Sequence, residues 1–327
     1  MNRRRRVVLA LGAGALAMPL ASFAQKAGGM RRIGWLSPAS AANGLSNLEA
    51  LRAGLRDLGY VEGRNITIEA RWADGRAEQL SKLAAELARL PVDIICTAGT
   101  PASNAAKQAT STIPIVFAQV AFPDKSGLVA SCARPGSNLT GVAFIGPEYG
   151  KRLELLKELR PKLSRVALIY NPDNVASVLA LEETQGWAGK LNIKLEPHKF
   201  RGPQDIDDVF AAIAGKRPDA IMTTNDPFIT SYRTRIVEFG AKHRLLSMYP
   251  GREFVDAGGL MFYGGSTPEM YRRAAVYVDK ILKGSKPADL PVEQPIKFDM
   301  VINQKTAKTL GIKIPQSMLQ RADEVID

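Results

Sequence analysis

From Arg31 onward, short apolar runs alternate with stretches whose apolar residues recur every three or four positions. Arg32–Ser37 (R-I-G-W-L-S) reads as a strand. Leu48, Leu51, Leu55 and Leu58 then mark one face of a helix that Gly59 ends. A turn at Glu62-Gly63-Arg64-Asn65 leads to a strand at Ile66–Trp72. Leu80, Leu83, Leu87 and Leu90 mark a second helix, stopped by Pro91, and Asp93–Thr97 is the next strand. After another helix comes an apolar run at Ile113–Gln119. The order then recurs. Arg165–Tyr170 is a strand followed by a helix to about Lys190, and Ile193–Glu196 is a strand. Ile206, Val209, Phe210 and Ile213 share a helix face, Asp219–Thr224 is a strand, Phe228–His243 a helix and Leu245–Tyr249 a strand. Strands separated by helices of this length build βαβ units with parallel sheets, an α/β class.

The halves also match in detail. Asp93-Ile-Ile-Cys-Thr-Ala-Gly-Thr-Pro101 and Asp219-Ala-Ile-Met-Thr-Thr-Asn-Asp-Pro227 share Asp, Ile, Thr and Pro at the same places. Such a repeat predicts two similar lobes rather than one long sheet. The chain should pass between them near Phe144–Gly150. The strand Gly259–Tyr263 and the helix Glu269–Leu282 should return to the first lobe. The expected divisions are 1–24 (a leader), 31–145 and 259–286 (first lobe), 146–258 (second lobe), and 287–327 at the hinge or second lobe.

The amino terminus changes the charge picture. Arg3–Arg6 followed by the apolar run Val7–Leu20 and Ser22-Phe23-Ala24 reads as a secretory signal peptide, through either the general or the twin-arginine exporter. Gln25 follows it, not cysteine, so a lipoprotein is not expected, and a periplasmic location is. Without the leader, 40 basic residues face 32 acidic ones, and a net charge of +12 falls to +8. The basic residues are scattered, without an aromatic-interleaved stripe, which argues against nucleic acid. Two cysteines (Cys96 and Cys132) and two histidines leave little for a metal site, and none is expected. No nucleophile elbow, zinc-protease helix or phosphate-binding loop is present in the sequence, so neither an enzyme nor a cofactor is expected.

A ligand of such a fold belongs beyond the carboxyl ends of the strands, between the lobes. That singles out Ser37, Thr97, Ala98, Gly99 and Thr100 in the first lobe, with Phe122 and Phe144 after later strands. It singles out Tyr170, Asn171, Asn174, Asn225, Asp226 and Tyr263 in the second half. Thr100-Pro101 and Asp226-Pro227 both read as a helix cap followed by proline in the first turn. The Thr97–Thr100 turn suits a carboxylate, because small residues let it approach backbone N–H groups at the positive end of a helix dipole. Asp226 either caps its own helix or offers a free oxygen to a ligand ammonium or hydroxyl.

Several longer stretches resemble the ABC transporter substrate-binding proteins, in particular a TrpX-like group of tryptophan- and tyrosine-type binders. They include L-G-Y-V-E-G-R-N (58–65), T-A-G-T-P-A (97–102), G-L-V-A-S-C-A-R-P-G-S-N-L-T-G (127–141) and K-R-L-E-L-L-K-E-L (151–159). R-E-F-V-D-A-G-G-L-M-F-Y-G (252–264), Y-V-D-K-I-L-K-G-S-K-P-A-D-L-P-V-E-Q-P (277–295) and L-Q-R-A-D-E-V-I (319–326) extend the likeness over nearly the whole mature chain. The resemblance implies a type I periplasmic-binding-protein fold, two Rossmann-like lobes joined by a three-stranded hinge. It implies a monomer that closes on a small ligand and delivers it to a membrane permease and its ATPase. It carries Thr97, Gly99, Thr100, Asn171 and Asp226 over as contacts. Similar sequences have Gly-Asp-Pro ahead of the glycine matching Gly127; here Val120-Ala121-Phe122-Pro123-Asp124 puts Phe122 in the place of the aspartate. The ligand therefore stays open between an aromatic amino acid and an aromatic or hydrophobic acid. A periplasmic sensor feeding a histidine kinase and a secreted α/β hydrolase are the competing readings.

Overall fold

The computed structural model describes residues 29–144, 148–294 and 297–327; the leader and part of the expected first crossing lie outside them. The first lobe runs β1 (Arg31–Ser37), α1 (Ala41–Asp57), β2 (Ile66–Trp72), α2 (Gln79–Arg89), β3 (Ile94–Ala98), α3 (Gly99–Ala109), β4 (Ile115–Ala121) and β5 (Leu139–Phe144). These strands form one parallel sheet in the order β2-β1-β3-β4-β5. β3, in its middle, is buried throughout and apolar except for Thr97, because a parallel sheet is covered on both faces.

The second lobe begins with α4 (Glu148–Leu159), β6 (Arg165–Tyr170), α5 (Val175–Lys190), β7 (Lys194–Lys199), α6 (Ile206–Lys216) and β8 (Ala220–Thr223). It continues with α7 (Pro227–Ser231), α8 (Arg233–Lys242), β9 (Leu246–Tyr249), α9 (Arg252–Asp256) and β10 (Met261–Gly265). After α10 (Thr267–Leu282) come β11 (Phe298–Asn303), α11 (Gln304–Leu310), α12 (Gln316–Arg321) and β12 (Glu324–Ile326). The second sheet has the order β12-β11-β10-β9-β8-β6-β7, parallel except between β10 and β11. Pro197 is accommodated because β7 is an edge strand.

Each sheet carries an apolar cluster on both faces. In the first lobe, Ile33, Trp35 and Leu51 lie in the cluster that includes α10 residues, and Leu36, Leu87 and Phe117 lie in the other. The repeat seen in the sequence has a physical cause. Asp93 and Asp219 precede β3 and β8, and each carboxylate accepts the backbone N–H of the residue entering the neighbouring strand, Arg32 at 2.8 Å and Arg165 at 2.9 Å. Each aspartate's own N–H returns a bond to that residue's carbonyl. The shared aspartate locks the register of paired strands in both lobes.

Three features differ from the sequence reading. β10, expected to return to the first lobe, pairs with β9 and β11, so only α10 crosses to pack on α1, β4 and β5. The helix expected over Phe228–His243 breaks at Tyr232 (φ −103°, ψ 13°), whose ring packs edge-on against Phe200. The amino end of α3 is Gly99, with Ala98 before it making no side-chain cap, so Thr100 lies inside the helix and caps nothing. The chain passes between the lobes after β5, after β10, and again before β11.

His198 is buried in β7, and burial, with Lys216 beyond it, holds its imidazole below the ordinary value. The unfolded chain therefore binds a proton that the folded chain refuses, so stability falls as pH drops below about 6.5. His198→Gln should flatten the dependence of the unfolding midpoint on pH between about 5 and 7. An unchanged slope would remove His198 as its source.

Candidate functional site

The carboxyl ends of the strands in both sheets open onto a cavity of about 770 Å³ between the lobes. That volume suits a small organic ligand. From the first lobe it is lined by Ser37 at the end of β1, the Ala98-Gly99 junction, Gln119 of β4, and Asn43 and Asn47 of α1. From the second come Asn225, Pro227, Arg233, Glu253 and Phe262, among others. Contacts span it. Pro227 Cγ lies 3.6 Å from where a Cβ on Gly99 would stand, and Arg233 Nη2 donates to Asn43 Oδ1 at 3.2 Å. Phe228 joins the first lobe's apolar cluster around Leu36 and Phe117.

The cavity wall at β4 is built on a bulge. The β4–β5 register shifts between Phe117 and Val120. Gly141 (φ +152°) permits this, since a Cβ there would stand 2.0 Å from the Phe117 carbonyl oxygen. Beside it, Gln119 (φ +60°) and Phe122 (φ +49°) occupy the left-handed region, at about 1–2 kcal/mol each. The Gln119 amide is held at both ends. The Tyr271 hydroxyl donates to its Oε1 at 3.3 Å, and its Nε2 donates to Thr267 Oγ1 at 3.5 Å. Burial pushes the Tyr271 phenol well above the usual range, so it remains a donor.

The structure places the sequence-selected residues in two groups. Ser37, Ala98, Gly99 and Asn225 line the cavity. Asp226, Asn171 and Asn174 come together just beneath its floor. Asp226 is 0% exposed; its Oδ1 accepts from Phe228 N at 2.9 Å and Ile229 N at 3.0 Å. Its Oδ2 accepts from Asn171 Nδ2 at 3.1 Å and Asn174 Nδ2 at 2.8 Å. Burial pushes the Asp226 carboxyl up, and the four donors oppose it. Both oxygens are engaged within the protein, and Asn174 also caps α5 through Ala176 N. Thr97 shares a hydrogen bond with Ser103 at 2.8 Å, and Thr100 is buried within α3.

The aromatic residues pack inward. Phe122, 5% exposed, stacks on Tyr149 of the other lobe with centroids 5.8 Å apart, and its backbone N–H donates to the Phe144 carbonyl. Phe144 and Tyr170 end buried strands, and Tyr263 stacks on Phe298. The Tyr263 carbonyl accepts from Nε of Arg152, itself 1% exposed. Phe262 is the aromatic side chain on the cavity wall.

Sequence reasoning did not single out Asn43, Asn47, Gln119, Arg233, Glu253 or Tyr271. Gln119 ends an apolar run, and that polar interruption was its signal. Arg233 and Glu253 sit in ordinary helix starts with no motif to mark them. Glu253 is half-buried; burial pushes its carboxyl up, while its own N–H and Arg233 pull it down. Among the described residues, no cluster of three or more His, Cys, Asp or Glu side chains could hold a metal, and no helix is long and apolar enough to cross a membrane. Cys96 and Cys132 are unbridged.

The architecture recurs in known proteins. A curated relative, a tyrosine-binding protein of Clostridioides difficile, is 26% identical over 259 residues, 79% of this chain and 74% of that protein. A conserved domain protein from Vibrio cholerae matches with TM-score 0.86 at 28% identity, covering 90% of this chain and 99% of that one. An ABC domain from Streptococcus pneumonia, solved in complex with L-Trp, also gives TM-score 0.86, at 26% identity over 91% of this chain and 100% of that one. Two parallel-sheet lobes around a shared cavity are the type I periplasmic-binding-protein fold. Residues 40–326 match the model of the ABC transporter substrate binding proteins, and the chain belongs to that family.

Proposed function

We propose that this protein is the exported solute receptor of an ABC importer, holding a small carboxylate-bearing ligand between its lobes and presenting it to a membrane permease and its ATPase. The observation that carries the reading is the 770 Å³ cavity bridged by groups of both lobes, with Asn43 meeting Arg233 across it. A ligand there touches both lobes and so stabilises the closed arrangement. Ser37, Ala98, Gly99 and Asn225 are its candidate contacts, and Asn171, Asn174 and Asp226 support the floor. The C. difficile and S. pneumonia relatives, named for tyrosine and L-Trp, favour an aromatic amino acid. The ligand leaves unchanged, and the site of action is the periplasm.

A thermal-shift screen of amino acids and aromatic acids tests this. A ligand at 100 times its dissociation constant should add about 2.7 kcal/mol of stability. No shift with any of them, or turnover of a small ester or amide by the purified protein, would overturn the reading.

A further inference from the structure

The cavity's charged side chains are not equivalent. Arg252 pairs with Asp256 and with Glu324, and Lys297 pairs with Asp299 and Asp323. Only Arg233 and Glu253 line the cavity without an ion pair to any described residue. Arg233 spends one N–H on the Thr230 carbonyl at 3.3 Å and one on Asn43 at 3.2 Å. A guanidinium has five, so donors remain for an anion. Glu253 is part of the cavity lining; its carboxylate takes a hydrogen bond from its own N–H and feels Arg233 and Asp256 nearby. Its carboxylate folds over Gly251, where any Cβ would stand 2.3 Å from Oε1. Residue 251 thus has no side chain where the carboxylate must lie.

Across the cavity, Gln119 and Asn47 supply neutral hydrogen-bonding groups, and the buried Tyr271 hydroxyl behind the lining holds Gln119 in place. The wall as a whole carries three cationic side chains against five carboxylates. A ligand that is only an acid would bring a further negative charge to this wall. One that also carries a cation would not.

We infer that Arg233 and Glu253 are a matched pair for a zwitterion, the guanidinium holding the carboxylate of a free α-amino acid and Glu253 its ammonium. This rests on the cavity being the ligand site, as proposed above, and decides between the two ligand classes left open by the sequence. The carboxylate goes to Arg233 rather than to the start of α3, because Arg233 brings a full charge and unspent N–H donors, whereas the Ala98-Gly99 junction offers only backbone groups beside Pro227 of the opposite lobe. Charge-assisted bonds to both ends of the ligand come from one lobe, and the neutral groups of the other lobe close over them.

Calorimetric titration of the purified mature protein with the twenty standard L-amino acids tests the pair. It is repeated, for whichever binds, with the analogue lacking the ammonium and the analogue lacking the carboxylate. Each analogue should bind about 30-fold or more weakly than the amino acid. Glu253→Gln should weaken the amino acid about 30-fold while leaving the des-amino analogue within about threefold. Arg233→Gln should weaken the amino acid and the des-amino acid but not the amine. Both positions are partly exposed, and unchanged unfolding midpoints without ligand show that the variants are folded. Wild-type affinity in folded Glu253→Gln, or a des-amino analogue as tight as the amino acid, overturns the pairing alone. Wild-type protein that binds none of the amino acids overturns the pairing; if aromatic acids fail as well, the reading of the cavity falls with it.

Discussion

Asp226→Ala lowers the stability of the second lobe by about 3 kcal/mol or more, enough to drop its unfolding midpoint by roughly 6–12 °C. The carboxylate is fully buried and accepts four hydrogen bonds. Removing it strands two amide NH₂ groups and two backbone N–H groups where no water reaches, and it removes the cap of α7. Asp226→Asn keeps an oxygen for Phe228 and Ile229 but turns an NH₂ toward those of Asn171 and Asn174, so it should recover only part of the loss. Differential scanning calorimetry of both variants without ligand checks this. A midpoint within about 1 °C of wild type for the alanine variant would show that the network is not carrying the lobe's stability.

Gly141→Ala should be as damaging in the first lobe, by a different route. The new Cβ would stand 2.0 Å from the Phe117 carbonyl oxygen, at a φ of +152° that L-residues rarely adopt. Either β5 withdraws from β4 or the bulge unwinds. In both cases Gln119 leaves the left-handed conformation that aims its amide at Tyr271 and Thr267. The expected cost is about 3 kcal/mol or more, with ligand affinity lost together with stability. Denaturant unfolding and titration of the same preparation would show both losses; a stable variant with full affinity would mean the wall does not depend on the bulge.

The lobes were legible because their cause is local. Apolar runs of five to seven residues between leucine-spaced helices can only become parallel strands, and Asp93 and Asp219 repeat because each ties the entrance of one strand to the next. The destination of β10 was not legible. Its residues suit either sheet, and what decides is β11, an antiparallel partner some 35 residues later that the sequence did not mark as a strand. The break at Tyr232 is likewise tertiary, set where the ring meets Phe200.

The site divides the same way. Asp226 announced itself as a cap beside proline, but whether an oxygen remained for a ligand depended on Asn171 and Asn174, over 50 residues upstream. Phe122 stood out as an apolar residue in an acidic position, yet its neighbour Tyr149 belongs to the other lobe, and the pair packs inward. Arg233 and Glu253 have common side chains in common places. They acquire meaning only when every other charge around the cavity is seen to have a partner.

Phe228 sits on the second lobe and is buried among the side chains of the first. Any motion that parts the lobes returns its ring to water, at about 2–3 kcal/mol. That ring acts as a built-in latch: it weights the shut form by that amount before any solute arrives, the solute has less work left to do, and its residence time is set in part by a side chain outside the cavity lining.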